Sequence, residues 1–117
     1  MHLLPDQFDL SPFVGAELLQ AQVGRWQFTL IFEGGHSICC EGDVTATSGG
    51  TSVNVLSRDD WGDLNALLPF LGAKVKAWHK VADDRFDILF TDAGTLEFRT
   101  AEGPYEDFVI DGGACVV

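Results

Sequence analysis

Pro12-Phe13-Val14-Gly15-Ala16 recurs as Pro69-Phe70-Leu71-Gly72-Ala73, 57 positions further along the chain. After one inserted residue the spacing becomes 58. Phe28-Thr29-Leu30-Ile31-Phe32 then lies on Phe86-Asp87-Ile88-Leu89-Phe90, and Ser37-Ile38-Cys39-Cys40-Glu41 on Thr95-Leu96-Glu97-Phe98-Arg99. Two such copies fill most of a 117-residue chain, which has room for one ordinary domain with one core. Two copies are too few for a solenoid. The pattern predicts a single domain over 1-117, with copies at about 11-56 and 68-117 joined by a helix at about 59-68. Two similar halves sharing one core predict a pseudo-twofold axis between them.

Each copy reads alike. A short turn at Ser11-Pro12 or Leu68-Pro69 ends at a glycine, Gly15 or Gly72, suited to positive φ. A strand follows at roughly 17–23 or 74–81. Next, Phe28, Leu30 and Phe32, and in the second copy Phe86, Ile88 and Phe90, alternate with smaller or polar residues, the period of a strand with one face on a core. Glu33-Gly34-Gly35-His36 and Asp92-Ala93-Gly94 make hairpin turns before return strands carrying Ile38 and Cys40, or Leu96 and Phe98. Ser48-Gly49-Gly50 and Gly112-Gly113 turn two further strand pairs. Trp61, Leu64, Leu67 and Leu68 recur at helical spacing behind an acidic start at Asp59-Asp60, and Pro69 ends the segment. The expected class is α+β, mostly antiparallel β: two pseudo-symmetric hairpin halves forming one rolled or two-layer sheet with one amphipathic helix.

Charge narrows the partners. Eighteen acidic groups against seven basic ones give −11, which argues against nucleic acid and anionic membranes, both bound through Lys and Arg. No apolar run is long enough for a spanning helix, and Met1–Asp6 lacks the basic start and apolar stretch of a signal peptide. Three cysteines, an odd number without C-x-x-C spacing, fit a reducing compartment, so the expected location is cytoplasmic. The charge is uneven: residues 1–60 and 86–117 each carry −6, while 61–85 carry +1. Lys74, Lys76 and Lys80 in that middle stretch are read as protection of an exposed strand edge, with anion binding as the alternative.

One set of residues comprises Phe13-Val14-Gly15, Phe32-Glu33-Gly34-Gly35, and Ser37-Ile38 with Glu41-Gly42. A second comprises Leu68, Leu71-Gly72, Phe90-Thr91-Asp92 and Tyr105-Glu106-Asp107-Phe108-Val109-Ile110. Together they resemble a family of small bacterial proteins of unknown function, most distinctively in Ser-Ile-x-x-Glu-Gly with Tyr-Glu-x-Phe-x-Ile. The resemblance covers most of the chain and implies one bacterial cytosolic domain. It brings no catalytic residue.

The reactive side chains make no recognisable constellation. Cys39 and Cys40 follow His36 by a few residues, but adjacent strand residues face opposite ways, and zinc needs four convergent ligands. Cys40 shares the inward face with Ile38 and is expected in the core. Asp59-Asp60 and Asp83-Asp84, with Asp87 nearby, could form a carboxylate site, but Asp59-Asp60 suits a helix start and Asp83-Asp84 a solvated turn. No histidine stands in a nucleophile motif, and Gly34-Gly35 is too short for a phosphate loop. No catalytic residue, cofactor site or metal site is assigned.

Positions that match between copies serve the shared fold; positions that differ in kind are where function can reside. Trp26 falls on about Asp84, Trp78 on about Ala21, and Tyr105-Glu106 has no counterpart. The candidate interface is therefore Trp26, Trp78, Tyr105, Glu102 and Glu106. The leading function is a non-enzymatic acidic module, immunity- or inhibitor-like, that covers a basic protein partner. The alternative is a small-ligand binder or enzyme using a cleft between the halves, lined by Trp26, Trp78, Tyr105 and His79. A homo-oligomer formed through exposed edge strands is a third expectation.

Overall fold

A computed structural model describes residues 4–57, 60–100, 106–113 and 115–117. The strands run β1 (Leu18–Val23), β2 (Phe28–Phe32), β3 (Ser37–Cys40), β4 (Asp43–Ser48), β5 (Thr51–Ser57), β6 (Asp60–Trp61), β7 (Val75–Ala82), β8 (Arg85–Phe90), β9 (Gly94–Arg99), β10 (Phe108–Ile110) and β11 (Cys115–Val116). Sheet one has the order β1-β2-β3-β10-β11, and sheet two β6-β5-β4-β9-β8-β7. Every strand pair is antiparallel.

That order contains an exchange. β1–β2–β3 and β7–β8–β9 are three-stranded meanders, one in each sheet. After its meander the chain crosses to the opposite sheet: β4 joins β9, and later β10 joins β3. Each sheet is thus completed by strands from the other half of the sequence, and hydrogen bonds within a sheet tie the halves together.

The meanders also meet directly. Gly15 N–H donates to Val75 O and Gly72 N–H to Leu18 O, both at 2.8 Å. Leu18 N–H donates to Ala73 O and Val75 N–H to Ala16 O, both at 2.9 Å. The two members of each pair correspond at the 57-residue spacing. Gly15 and Gly72 hold φ of 87° and 85°, a region that costs other L-residues about 1–2 kcal/mol. Each following strand opens with a register shift, between Leu18 and Gln20 in β1 and between Val75 and Ala77 in β7. At the centre Phe32 stacks on Phe90 at 6.3 Å, flanked by Phe13 against Phe32 and Phe70 against Phe90, each at 5.2 Å.

The core lies between the sheets. The alternating residues Phe28, Leu30, Phe32, Phe86, Ile88, Phe90, Leu96 and Phe98 are all buried, as the period-two pattern requires. Each buried side chain of this size stabilises the fold by roughly 1.5–3 kcal/mol relative to exposure. Phe8, from the segment before β1, closes one side by packing on Phe86 at 4.9 Å and on Trp78 at 5.8 Å. Ser37–Gly42 and 106–110 meet here too: Phe108 pairs with Cys40 and Ile110 with Ile38. Glu41 and Gly42 N–H both donate to Asp107 O. A Cβ on Gly42 would lie 2.7 Å from the Asp107 Cβ, so this close approach needs glycine.

The architecture is mostly antiparallel β in two layers, with one longer helical segment, and it does not close into a roll. That segment differs in position and type from the amphipathic helix expected at 59-68. Asp60–Trp61 pairs with Leu56 and Ser57 as β6, and Asp59 lies outside the described residues. The helical turns run Leu64–Phe70 in 3-10 form, capped by Asp63 accepting from Asn65 N–H at 2.9 Å, and continue through Pro69. The cause is Gly62, whose backbone packs so closely that a Cβ there would sit 1.9 Å from Asn54 O. That contact commits Trp61 to the sheet and delays the helix.

Candidate functional site

The β1–β2 turn carries the most exposed tryptophan. Gly24 N–H donates to Gln27 O at 2.8 Å, closing the turn, and Trp26 stands 56% exposed beside Val23 at 55%. The turn is anchored from below. Trp61 Nε1–H donates to Arg25 O at 3.0 Å, and the Trp61 ring packs 6.2 Å from Phe28. The Arg25 guanidinium lies 4.8 Å over the Trp26 ring, a cation–π contact that holds the indole in one orientation.

Register places acidic groups around this end of sheet one. Phe28 pairs with Cys40 and Cys40 with Phe108. The residues just beyond that row are therefore the 24–27 turn, Glu41, and 106–107. Glu41 and Glu106 are exposed, and Asp60, next to the anchoring Trp61, is exposed as well. The result is an exposed aromatic side chain on a hydrogen-bonded turn, at the end of the molecule that also carries three exposed carboxylates.

The other expected interface residues are distributed differently. Trp78 pairs with Ile88 on the inner face of β7 and packs edge-on to Phe8, so the core claims it. His79 faces the opposite side, across from Asp87. Glu102 and Tyr105 lie outside the described residues. Among the described residues, Trp78 and His79 lie on opposite faces of β7 and Trp26 on the β1–β2 turn, and the centre between the halves is filled by Phe13, Phe32, Phe70 and Phe90.

A second constellation, on the outer face of sheet two, was not singled out from the sequence. Cross-strand pairing aligns His79, Asp87, Glu97, Thr45 and Asn54 in one row. Arg85 and Arg99 reach the Glu97 carboxylate at 3.8 and 3.2 Å. Burial, and secondarily the nearby Glu97 charge, raises the Asp87 carboxyl above its ordinary range, while Arg85 and His79 oppose that shift. A shallow cavity of about 180 Å³ lies at this row, lined by Asp43, Thr45, Asn54, Ser57, Glu97 and Arg99. The copy-to-copy comparison contained the signal: Asp87 falls on Thr29 and Glu97 on Cys39.

Two further reactive groups, His36 and Cys40, sit in contacts that hold the fold. His36 Nδ1 lies 3.2 Å from the Asp111 carboxylate, which also accepts Ser37 N–H at 2.9 Å. These contacts join β3 to the turn after β10. Cys40 is fully buried with its thiol titrating well above the usual range, chiefly through desolvation, and it donates to Ile38 O at 3.7 Å. Cys39 points to the other face, both thiols are free, and the two cannot aim at one ion. Among the described residues, no three His, Cys, Asp or Glu side chains converge as metal ligands, and no helix is long and apolar enough to cross a membrane. In comparisons with known proteins, no family model, no curated protein and no solved structure matches the chain.

Proposed function

We propose that this chain is a non-enzymatic, acidic protein-binding module of a bacterial cytosol, immunity- or inhibitor-like, that grips a basic partner with the Trp26 end of sheet one. The observation that carries the reading is the exposure of Trp26 on an anchored turn beside Glu41, Glu106 and Asp60. Net charge of −11 draws a basic surface from a distance. Exposed ion pairs add little net affinity, so the indole supplies the short-range energy. The domain itself is read as a duplicated unit whose halves exchange strands, which holds the turn rigid and lowers the ordering cost of binding.

The test is binding kinetics against a partner purified from the native host, at two salt concentrations. Trp26→Ala is expected to raise the dissociation rate by about one to three orders of magnitude, the range of a hot spot. Glu41→Lys with Glu106→Lys is expected to slow association and flatten its salt dependence. Wild-type kinetics in both variants would contradict the reading.

The ligand alternative finds support away from the expected cleft. A cavity of about 240 Å³ opens between the segment before β1 and the end of β10, lined by Pro5, Phe8, Leu10, Phe13, Ile110 and Asp111 among others. Its apolar walls, with the Asp9 and Asp111 carboxylates among the lining, fit an apolar cation. Titration with phenethylammonium followed by methyl NMR is expected to shift Leu10 and Ile110 first. Shifts confined to other residues would exclude this site.

A further inference from the structure

Two like-charged pairs face each other on the outer side of sheet two. Arg85 lies directly opposite Arg99, and Asp87 directly opposite Glu97. Like charges in register on neighbouring strands destabilise a sheet. Both guanidiniums turn to one atom, Glu97 Oε1, from 3.2 Å for Arg99 and 3.8 Å for Arg85. Arg85 Nε and Asp87 Oδ1 are buried without a hydrogen-bond partner among the described residues, which is a further cost. The fold does not require this arrangement. At the 58-residue spacing Arg85 falls on Gln27, Asp87 on Thr29, Glu97 on Cys39 and Arg99 on Glu41. The first copy thus builds the same strands with neither like-charged pair.

The pairs border a groove over β4. Asp43 and Thr45 form its floor, Asn54 and Ser57 of β5 one wall, and Glu97 and Arg99 of β9 the other, around the cavity of about 180 Å³. Every one of these side chains is polar. Arg85, on β8, holds Glu97 from the side away from the groove. The β9 wall therefore presents opposite charges 3.2 Å apart, Glu97 and the half-exposed Arg99, and Asp43 lies across from Arg99 on β4. We propose that this groove binds a small zwitterion, an α-amino acid with a short side chain. Its ammonium sits on Glu97 and Asp43, and its carboxylate on Arg99. A ligand of one sign would satisfy part of the wall and be repelled by the rest, whereas adjoining ammonium and carboxylate groups match both. The charges lie near water, so the affinity is modest, with a Kd on the order of 1–10 mM.

This inference does not rest on the Trp26 reading or on the cavity before β1. The test is amide NMR of the full, isotope-labelled chain titrated with glycine to about 50 mM. Methylammonium and acetate are titrated separately at matched ionic strength. Glycine is expected to shift the Thr45, Asn54, Glu97 and Arg99 amides saturably, and to bind about tenfold more tightly than either single-charge probe. Arg99→Gln should weaken glycine binding about fivefold or more. Thr45→Leu fills the floor while leaving every charge in place, and should abolish binding with the remaining cross-peaks unmoved. It separates a shaped groove from attraction to charge alone, and it serves equally if Arg99→Gln disturbs the sheet. Three results would each overturn the proposal: no saturable shift at these four amides, methylammonium or acetate binding as well as glycine, or undiminished glycine binding by Thr45→Leu.

Discussion

Where sheet two stacks Phe86 on Phe98 at 4.7 Å, sheet one sets Phe28 beside Cys40. The smaller thiol has a counterpart on the next strand. Phe108 lies next to Cys40, whereas Val44 lies next to Phe98. Phe108 reaches across the core to meet Phe98 at 5.5 Å and Phe86 at 5.6 Å, edge-on to both. Large and small residues have traded places between equivalent sites, so that the two sheets interdigitate. The outer faces differ in another way. Thr29, Cys39 and Val109 make a neutral row on sheet one, and Asp87, Glu97 and Thr45 make a charged row on sheet two. Inside, equivalent positions of the two meanders differ in compensating pairs. Outside, they differ without that constraint.

Making the copies more alike should break this comparison in a graded way. Phe98→Cys, which installs the residue of the first copy, removes the ring that contacts both Phe86 and Phe108. It is expected to cost about 3–5 kcal/mol by cavity formation, read by denaturant unfolding. The reverse exchange, Cys40→Phe, overfills the space beside Phe28 and Phe108 and should cost about 1–3 kcal/mol. If Cys40→Phe proves neutral, the core is not interlocked as described. Gly15→Ala and Gly72→Ala should each cost about 1–2 kcal/mol through the left-handed backbone alone, since no atom lies within 4 Å of either added methyl. The two values should agree closely; a large difference would mean that the two ladders are not equivalent.

The smallest effect belongs to the outer face. The Asp87 carboxyl is raised in the folded protein, so the native state holds its proton more readily than the unfolded chain. Stability from this group is therefore lost as pH rises from the ordinary carboxylate range through the raised value. Asp87→Thr, copying Thr29, should raise the melting temperature slightly at pH 7 and leave it unchanged near pH 3. A loss at neutral pH would show that Asp87 is held by favourable partners instead.

Much of this was legible in the sequence because it is local. Alternation from Phe28 to Phe32 and from Phe86 to Phe90, the glycine turns and the 57-residue echo each depend on a few neighbouring residues. The crossing of β4 and β10 into opposite sheets was not legible, since no local pattern encodes which distant strand a strand will join. Trp61 misled for a related reason. Its spacing to Leu64 and Leu67 suits a helix, but Gly62 lying against Asn54 is a tertiary contact that draws it into a strand. The candidate surface was only partly narrowed by sequence: the copy comparison marked Trp26 and Trp78 equally, and packing against Phe8 separates them. The same comparison held the charged row at Asp87 and Glu97, but Asp87 reads by sequence as a neighbour of the Asp83-Asp84 turn, and only strand pairing sets it beside Glu97.

The central claim is that neither half stands alone, because each completes the other's sheet and the two share one ladder. Native-state amide hydrogen exchange tests it at four donors: Gly15, Leu18, Gly72 and Val75. All four should exchange only through global unfolding, with protection factors within about tenfold of one another, or roughly 1.4 kcal/mol. Exchange of Gly15 and Leu18 orders of magnitude faster than Gly72 and Val75, or the reverse, would show one half opening without the other and would contradict the account.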